Sequence, residues 1–362
     1  MKFEINRTEM LEAAKNAAKV VPTKASVDIL NGILVEGNDS TNEVFMTATN
    51  FEISIQLKVK TYVEKRGNIL VNPRLLVGIL SLLPNEFVTF SADKTDILRI
   101  TSGKCSYEIK CLPSQHYPNP IMPFPEETVK ISGICSLVKR TVFAVSKEEH
   151  KPALQCVNVK LTPNAIHATA CDGIRMILIK NESNSLDNQE FVLDGQSLRT
   201  LAAISADTDI YEVADMGKEI VFVKENMMFT MRKTESLYID SNSLIKSVKP
   251  VYSVVTDAYE MRKALDLIKV GSSGKPVSLI MMDDCILLQC KGESGEVHSI
   301  VAAKTSTEIP AASFYYDTAK LYKLFQVVEG KVKIEFDMRG MLLVKTRNEV
   351  YLQVSQNKPK PL

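Results

Sequence analysis

The feature that most constrains this chain is a strand, helix and strand pattern that occurs three times. In the first copy, Asn68 to Ala92, an apolar strand runs into Asn72 and Pro73. The Asn72 side chain can accept hydrogen bonds from the free N–H groups of a helix start, and proline suits the first helical position. Apolar residues at helical spacing follow, and then the alternation of a second strand. The other copies lie at 190–213 and 314–336, with Asp194 and Asp317 at the capping position.

The three copies keep the same distances. The capping residues are separated by 122 and 123 residues, and each copy continues into two more strands, the last with a central aromatic residue. Those aromatics are Tyr107, Phe229 and Tyr351. Such agreement over three blocks indicates an internal triplication, so the chain is predicted to contain three related domains.

The first half of each repeat also follows one plan. Helices are predicted at 7–20, 134–145 and 259–270, with Leu11, Val138 and Leu265 in equivalent positions, and each is followed by three alternating strands. The predicted fold class is therefore α+β, with two helices and two antiparallel sheets in each domain.

Proline-rich segments suggest the domain boundaries. The stretch from Leu112 to Pro125 is too rich in proline for regular structure, and Pro250 lies near the second boundary. The predicted domains are 1–122, 123–250 and 251–362.

Composition bounds the class of protein. The chain has 45% hydrophobic and 24% charged residues, and we find no apolar run long enough to span a bilayer, so a soluble protein without a membrane partner is expected. The charged start MKFEINRTEM is unlike a secretory signal, which predicts a cytoplasmic location. Seven cysteines without a CxxC pair and four scattered histidines predict reduced thiols and neither metal nor cofactor. A net charge of +1 means that any surface for a polyanion must be local.

Several short stretches resemble the bacterial DNA polymerase III beta subunit family, the sliding clamps. The opening MKF with Arg7, Met10 and Leu11 is similar to the first strand and helix of the family. LPSQHYP (112–118) resembles its LP-x-x-[DE]-[FY]-P element, and CDGIRM (171–176) is similar to its TDGHRL loop. Together with the triplication, these motifs extend the resemblance over the whole length.

The resemblance implies a mechanical function. Two subunits of a sliding clamp close head to tail into a six-domain ring around duplex DNA, with helices inside and sheets outside. This chain would then be a homodimeric processivity factor for replication. It would contact double-stranded DNA without regard to sequence and bind DNA polymerase and clamp-loader subunits through short linear peptides. Any polymerase activity would belong to the holoenzyme, so no catalysis is expected from this chain.

A ring that slides needs cations that face phosphates and no residues that read bases. Every predicted helix supplies candidates, and Lys24 and Arg74 align with basic positions of the family. The alternative is that these cations are ordinary solvated helix faces. The candidate DNA-binding residues are Lys24, Arg74, Lys139, Arg140, Lys147, Arg199, Lys320 and Lys323.

The family also has a cleft for partner peptides, between its second and third domains. This chain departs from the family there: Ile174 replaces the usual histidine, 234–244 lacks a Phe-Pro pair, and the end QNKPKPL lacks an apolar terminus. The alternative for Met176, Leu352 and Val354 is plain core packing. The candidate cleft residues are Gly173, Ile174, Arg175, Met176, Tyr238, Ile239, Leu352 and Val354.

Two other functions stay open at this point. The altered cleft also fits a clamp-like paralogue that serves a repair or mobile-element polymerase. A metal-dependent nuclease could use the paired acids Asp283-Asp284 or Glu148-Glu149, although adjacent acids are usually solvated surface. The chain contains no P-loop, dinucleotide-binding glycine pattern or G-x-S-x-G motif.

Overall fold

The structure is a computed structural model of the chain. It describes residues 1–357 except 25–26, 94–95, 119, 121–123, 149, 183–187, 273, 293–294 and 306–312. The predicted boundary between 122 and 123, Glu149 and the end of the tail therefore lie outside the described residues. Within these ranges, none of the helices has the length and apolar character that crossing a membrane requires.

Seven α-helices form in the described chain, two in each repeat and one short extra helix. They are α1 (Arg7–Ala18), α2 (Pro73–Leu82), α3 (Ile134–Thr141), α4 (Gly195–Ala203), α5 (Ser241–Ser247), α6 (Ala258–Ser272) and α7 (Thr318–Val327).

The strands follow the same three-fold plan. The first repeat holds β1 (Lys2–Asn6), β2 (Ile33–Asn38), β3 (Glu43–Thr49), β4 (Ile53–Lys60), β5 (Val63–Lys65), β6 (Gly67–Val71), β7 (Phe87–Ala92), β8 (Ile97–Ser102) and β9 (Cys105–Lys110). The second holds β10 (Val129–Ser132), β11 (Cys156–Thr162), β12 (Ala165–Cys171), β13 (Arg175–Glu182), β14 (Gln189–Asp194), β15 (Ile210–Asp215), β16 (Glu219–Lys224) and β17 (Met227–Arg232). The third holds β18 (Tyr252–Asp257), β19 (Val277–Met281), β20 (Cys285–Gly292), β21 (Gly295–Thr305), β22 (Ser313–Tyr316), β23 (Lys331–Phe336), β24 (Leu342–Lys345) and β25 (Glu349–Gln353).

Side-chain caps start the helices where the sequence predicts. The Asn72 side chain accepts hydrogen bonds from the backbone N–H groups of Arg74 and Leu75, and Asp317 accepts one from Lys320. These bonds satisfy donors that have no partner inside the helix. Behind the cap of α2, Leu76 and Leu80 are fully buried, which fixes the face of the helix that packs on the core.

All strand pairs are antiparallel, and the pairing crosses from one repeat to the next. The described strands form a five-stranded sheet (β5-β1-β7-β8-β9), an eight-stranded sheet (β10-β15-β16-β17-β4-β3-β2-β6) and a twelve-stranded sheet (β14-β11-β12-β13-β25-β24-β23-β18-β21-β20-β19-β22). The predicted α+β class, with two helices per repeat and antiparallel sheets, is confirmed. The sheets differ from the expectation in one respect, because strands of neighbouring repeats share them.

Two pairings make these joins. In one, β17 of the second repeat pairs with β4 of the first, with Phe229 opposite Ile55. In the other, β25 of the third repeat pairs with β13 of the second, with Tyr351 opposite Ile177. All four of these side chains are buried, so each join is closed by apolar packing as well as by backbone hydrogen bonds.

The described chain divides into two compact units, and each unit contains one of these joins. The first comprises 1–135 and 196–233, and the second comprises 136–195 and 234–362. The second repeat is thus shared between the units, because its last strand pairs with the first repeat and its β13 pairs with the third. The domain boundaries at 122/123 and 250/251 stay predictions.

The first helices of the repeats differ in register from the prediction. Asn6 and Asp257 each accept hydrogen bonds from the two N–H groups at the start of α1 and α6, which makes them equivalent caps. Leu265 is then equivalent to the buried Ala14 and not to the half-buried Leu11. The predicted equivalence of Leu11 and Leu265 is therefore wrong, because alanines fill the core side of α1. Helix α5 was not predicted.

Candidate peptide cleft and cationic residues

An apolar cluster in the second unit gathers three of the predicted cleft residues. Met176 on β13 and Leu352 on β25 lie directly opposite each other in the sheet, and both are buried. Ile239 packs against them from the segment before α5 and is only partly buried. We call this group the cleft cluster. It is completed by Cys171, Val248 and Leu343, with Leu154, Leu244, Ile245, Met341 and Val350 partly buried against it.

Most of the completing residues could not be found by sequence reasoning. Leu154, Val248 and Leu343 belong to separate strands and loops that only the tertiary fold brings together. Helix α5 could have been anticipated, because Asp240 is a good capping residue and accepts hydrogen bonds from the N–H groups of Asn242 and Ser243. This helix places Leu244 and Ile245 beside the cluster.

The loop from Cys171 to Arg175 forms one wall beside the cluster. Gly173 has a φ of 86°, a left-handed conformation that favours glycine. The Asp172 carboxylate accepts hydrogen bonds from the N–H groups of Ile174 and Arg175, each at 3.0 Å. The Ile174 carbonyl accepts a hydrogen bond from the N–H of Val354 at 2.8 Å, which fixes the last strand to this loop. Val354 itself is 43% exposed.

The Arg175 side chain points into the protein. Its guanidinium donates to Asp172 Oδ2 at 3.1 Å and to the carbonyl of Phe143, and it lies 5.0 Å from the centre of the Phe143 ring. Burial lowers the pKa of Arg175, and the charge of Asp172 opposes that shift. Arg175 therefore holds the loop in place, and its predicted contact with a peptide stays a prediction.

Tyr238 supports the segment that carries Ile239. Its hydroxyl donates to the carbonyl oxygen of Cys156 at 3.1 Å, and burial raises its pKa, so the group is a neutral donor. The contact fastens the segment before α5 to strand β11.

The first unit shows what the equivalent place looks like without a cleft. Thr49, Ser54 and Thr230 occupy the sheet positions of Cys171, Met176 and Leu352. The hydroxyls of Thr49 and Ser54 lie 2.8 Å apart. The Tyr117 hydroxyl accepts a hydrogen bond from the N–H of Thr49, and burial raises its pKa to about 12. The first-unit site is thus polar and filled by Tyr117, whereas the second-unit site is apolar.

The predicted DNA-binding residues fall into two groups. Exposed side chains belong to Lys24, Arg74, Lys139, Lys147, Arg199 and Lys323. The other two make ion pairs with buried carboxylates: Arg140 pairs with Glu349, which also accepts a hydrogen bond from Tyr351, and Lys320 pairs with Asp172. Part of the charge of Arg140 and Lys320 is therefore used inside the protein. A phosphate contact stays a prediction for all eight residues.

Neither acidic pair proposed for a nuclease has further ligands in the described chain, and Glu149 of the second pair lies outside it. Asp283 and Asp284 are exposed in the turn between β19 and β20. Among the described residues, no group of three or more His, Cys, Asp or Glu side chains is placed to hold a metal ion.

We expect replacement of Lys320 by Met to lower the free energy of unfolding by about 1–2 kcal/mol. Its ammonium lies 2.7 Å from Asp172 Oδ2, and the Asp172 side chain is only 5% exposed. The carboxylate would keep Arg175 and two N–H donors, which limits the loss. Urea unfolding measures the effect. Lys323→Met on the same helix is the matched control, since Lys323 is exposed, and equal stabilities of the two variants would contradict the structural role of Lys320.

Comparison with known proteins agrees with this fold. Residues 1–121 match the family model for the N-terminal domain of the DNA polymerase III beta subunit, and residues 128–240 match the model for its central domain. The chain is 25% identical, over an alignment of 378 positions, to the beta sliding clamp of Bacillus subtilis strain 168, with 98% of each chain covered. A putative DNA polymerase III beta subunit of Eubacterium rectale superposes with a TM-score of 0.92 at 19% identity, covering 99% of this chain and all of that one. A DNA polymerase sliding clamp of Bacillus subtilis superposes with a TM-score of 0.90 at 23% identity and the same coverage. With two family models matching well over half of its length, the chain belongs to the DNA polymerase III beta subunit family.

Proposed function

We propose that this protein is a DNA sliding clamp for replication, a homodimeric ring that encircles duplex DNA and tethers a DNA polymerase without catalysing a reaction itself. The observation that carries this proposal is the repeated strand pairing between repeats. Two such pairings form within the described chain, each between the last strand of one repeat and the fourth strand of the preceding repeat. In the first repeat the last strand, and in the third repeat the fourth strand, lacks this partner. A second copy of the chain supplies both missing partners.

The strands that lack this pairing in the described chain are β9 and β21. In the described chain, β9 is the edge of its sheet, with β8 as its neighbour. Residues 295–302 of β21 pair only with β20. By their places in the repeat, β9 is equivalent to β17 and β25, and β21 is equivalent to β4 and β13.

Exposure at these strands fits a missing partner. Tyr107 on β9 is 41% exposed, whereas its equivalents Phe229 and Tyr351 are 0% and 2% exposed. The equivalents of Val297 on β21, Ile55 and Ile177, are also fully buried. An aromatic side chain in this position is covered in both joins that the chain completes, which supports a third join between copies.

The helix ends support the same contact. In the first unit, Lys19 at the end of α1 donates to the carbonyl of Ala203 at the end of α4, at 2.7 Å. The equivalent of Lys19 on α6 is Val270, which is 88% exposed, and the equivalent of Ile204 after α4 is Leu82, which is 80% exposed. Apolar side chains left open at both free ends favour a contact between copies that is more apolar than the one within the chain.

Internal symmetry predicts the register of the proposed contact between copies. Gln56 and Leu178, which face Met228 and Val350 in the two joins, correspond to His298 on β21. Met228 and Val350 correspond to Ser106 on β9. Ser106 is therefore predicted to face His298, and the exposed Cys105 to face Ser299.

Replacement of Ser299 by Cys should create a disulfide between copies under mild oxidation, because directly opposed residues of antiparallel strands lie within disulfide range. The expected product is a covalent dimer on a non-reducing gel. Cys105→Ser in the same background should abolish it. His298→Cys is the register control, since its side chain points to the opposite face of the strand. Equal crosslinking of both cysteine positions would contradict the register.

The DNA-facing role rests on exposed cations of the helical repeats. Arg74 on α2 and Lys24, in the loop after α1, are both exposed in the first unit, and the helices α1 and α2 of that repeat pack together. Charge contacts with phosphates do not depend on sequence, and they weaken with salt. We therefore assign Lys24 and Arg74 to the surface that faces the DNA backbone.

The test of function is retention on circular DNA. After assembly on a nicked plasmid with a clamp loader, the wild-type protein should stay bound and should leave when the plasmid is cut to a linear form. Retention that survives linearisation, or no retention on the circle, would overturn the ring. Charge reversal of Lys24 and Arg74 to Glu should reduce the amount loaded several-fold at moderate salt without loss of folding. Lys65→Glu with Arg66→Glu, an equal charge change at an exposed strand end, is the control.

The cleft cluster supports binding of apolar linear peptides from polymerase and clamp-loader subunits. Its half-buried residues, Ile239, Leu244 and Met341, leave apolar surface that a short peptide could cover. Affinity should be modest, because a flexible peptide loses conformational freedom on binding.

Replacement of Ile239 by Lys should weaken binding of such a peptide at least tenfold, since the ammonium would be desolvated against the cluster. Fluorescence anisotropy with a labelled peptide from a clamp-loader subunit measures the change. Leu237→Lys is the matched control, because Leu237 lies two residues away and is 97% exposed. The dimer mass should not change in either variant. Equal affinities of the two variants would remove Ile239 from the site.

A further inference from the structure

Two tyrosines stand on the exposed side of the helix pair α6 and α7. Tyr259 is 57% exposed, and the guanidinium carbon of Arg262 lies 5.3 Å from the centre of its ring. Tyr322 on α7 lies 4.7 Å from the ammonium of Lys269 on α6, measured to the ring centre. Each of the two rings thus lies beside a cation of α6. We call Tyr259, Arg262, Tyr322 and Lys269 the aromatic row.

Helical spacing aligns the α6 members of the aromatic row. Arg262 and Lys269 follow Tyr259 by three and ten residues along α6, which places all three on one side of the helix. Asp266 lies between them along α6, near the Tyr322 hydroxyl. The interaction with this carboxylate raises the pKa of Tyr322. The phenol therefore stays neutral.

Aromatic residues occur on no other α-helix of the described chain. The sequences of α1 to α5 contain none. The third aromatic of this pair, Phe325, is 1% exposed and belongs to the core. Core packing thus explains Phe325, whereas the largely exposed Tyr259 adds little to the core.

The charge around the aromatic row suits a polyanion. Helices α6 and α7 together carry Arg262, Lys263, Lys269, Lys320 and Lys323, against the acidic residues Glu260 and Asp266. Of these cations, Lys320 pairs with Asp172 of the cleft loop. Of the others, Arg262 and Lys269 lie beside the two rings, and Lys263 and Lys323 belong to the same pair of helices.

We propose that the aromatic row binds unpaired bases of single-stranded DNA, a proposal that rests on the clamp function above. Rings flanked by cations are the usual means of holding single strands, because every base offers a flat face for stacking while the phosphates meet the cations. Bases inside a duplex are already stacked and cannot use these rings. The ligand that fits is therefore the unpaired strand next to a primer end.

The test compares two double variants. Tyr259→Leu with Tyr322→Leu removes the rings but keeps apolar bulk, whereas Tyr259→Phe with Tyr322→Phe keeps the rings and removes the hydroxyls. Anisotropy of a labelled oligothymidylate at low salt should show about tenfold weaker binding for the leucine variant and near wild-type binding for the phenylalanine variant. Retention on nicked circular plasmid should be the same for both.

Three results would overturn the proposal. These are unchanged oligothymidylate binding by the leucine variant, equal loss in both variants, which would indicate hydroxyl contacts with phosphate, and equal loss of duplex retention. Should the double leucine variant fail to fold, Tyr259→Leu alone decides the matter, because Tyr259 is largely exposed and its ring lies against Arg262 of its own helix. Failure of the wild-type protein to stay on circular DNA would instead count against the clamp function and leave the oligonucleotide result readable.

Discussion

The structure depends on one repeated interaction, in which the last strand of one repeat pairs antiparallel with the fourth strand of the preceding repeat. Each pairing satisfies backbone groups that would otherwise lie at an open edge, and each buries an aromatic ring against an isoleucine. Because both edges of the second repeat are used in this way, its two halves belong to different compact units. The architecture follows from edges that must be paired more than from any single core.

Equivalent positions of the repeats have diverged in polarity, and the divergence falls at the proposed peptide cleft. Thr49, Ser54 and Tyr117 form a closed, hydrogen-bonded site in the first unit. At the same sheet positions the second unit has Cys171 and Met176, which pack with Val248, Leu343 and Leu352. Burying a polar group is costly unless it is paired, so the first site is filled by its own partner groups. The second is lined by apolar side chains, several of them only partly buried.

Sequence reasoning succeeded where the determining interactions are local. Caps such as Asn72, and apolar residues at helical or strand spacing, act over a few residues, so the elements and their three-fold order were predictable. The joins between repeats were not, because they depend on residues 170 to 178 positions apart, as in the pairing of β4 with β17. The same holds for Lys320, whose partner Asp172 is 148 residues away and converts a predicted surface cation into part of an ion pair. For α6, spacing on leucine gave the wrong register, since small alanines fill the equivalent face of α1.

The complementary strand edges also bear on how such a chain could arise. A single ancestral repeat would carry both edges, the type of β4 on one side and the type of β17 on the other, with no partner for either. Copies of that short protein would pair with one another through the same hydrogen bonds that now join the repeats. Gene fusion would then link copies that already paired into one chain. On this view the present chain corresponds to an oligomer whose subunits became covalently linked. The open edges of β9 and β21 would then belong to the first and last of the linked copies.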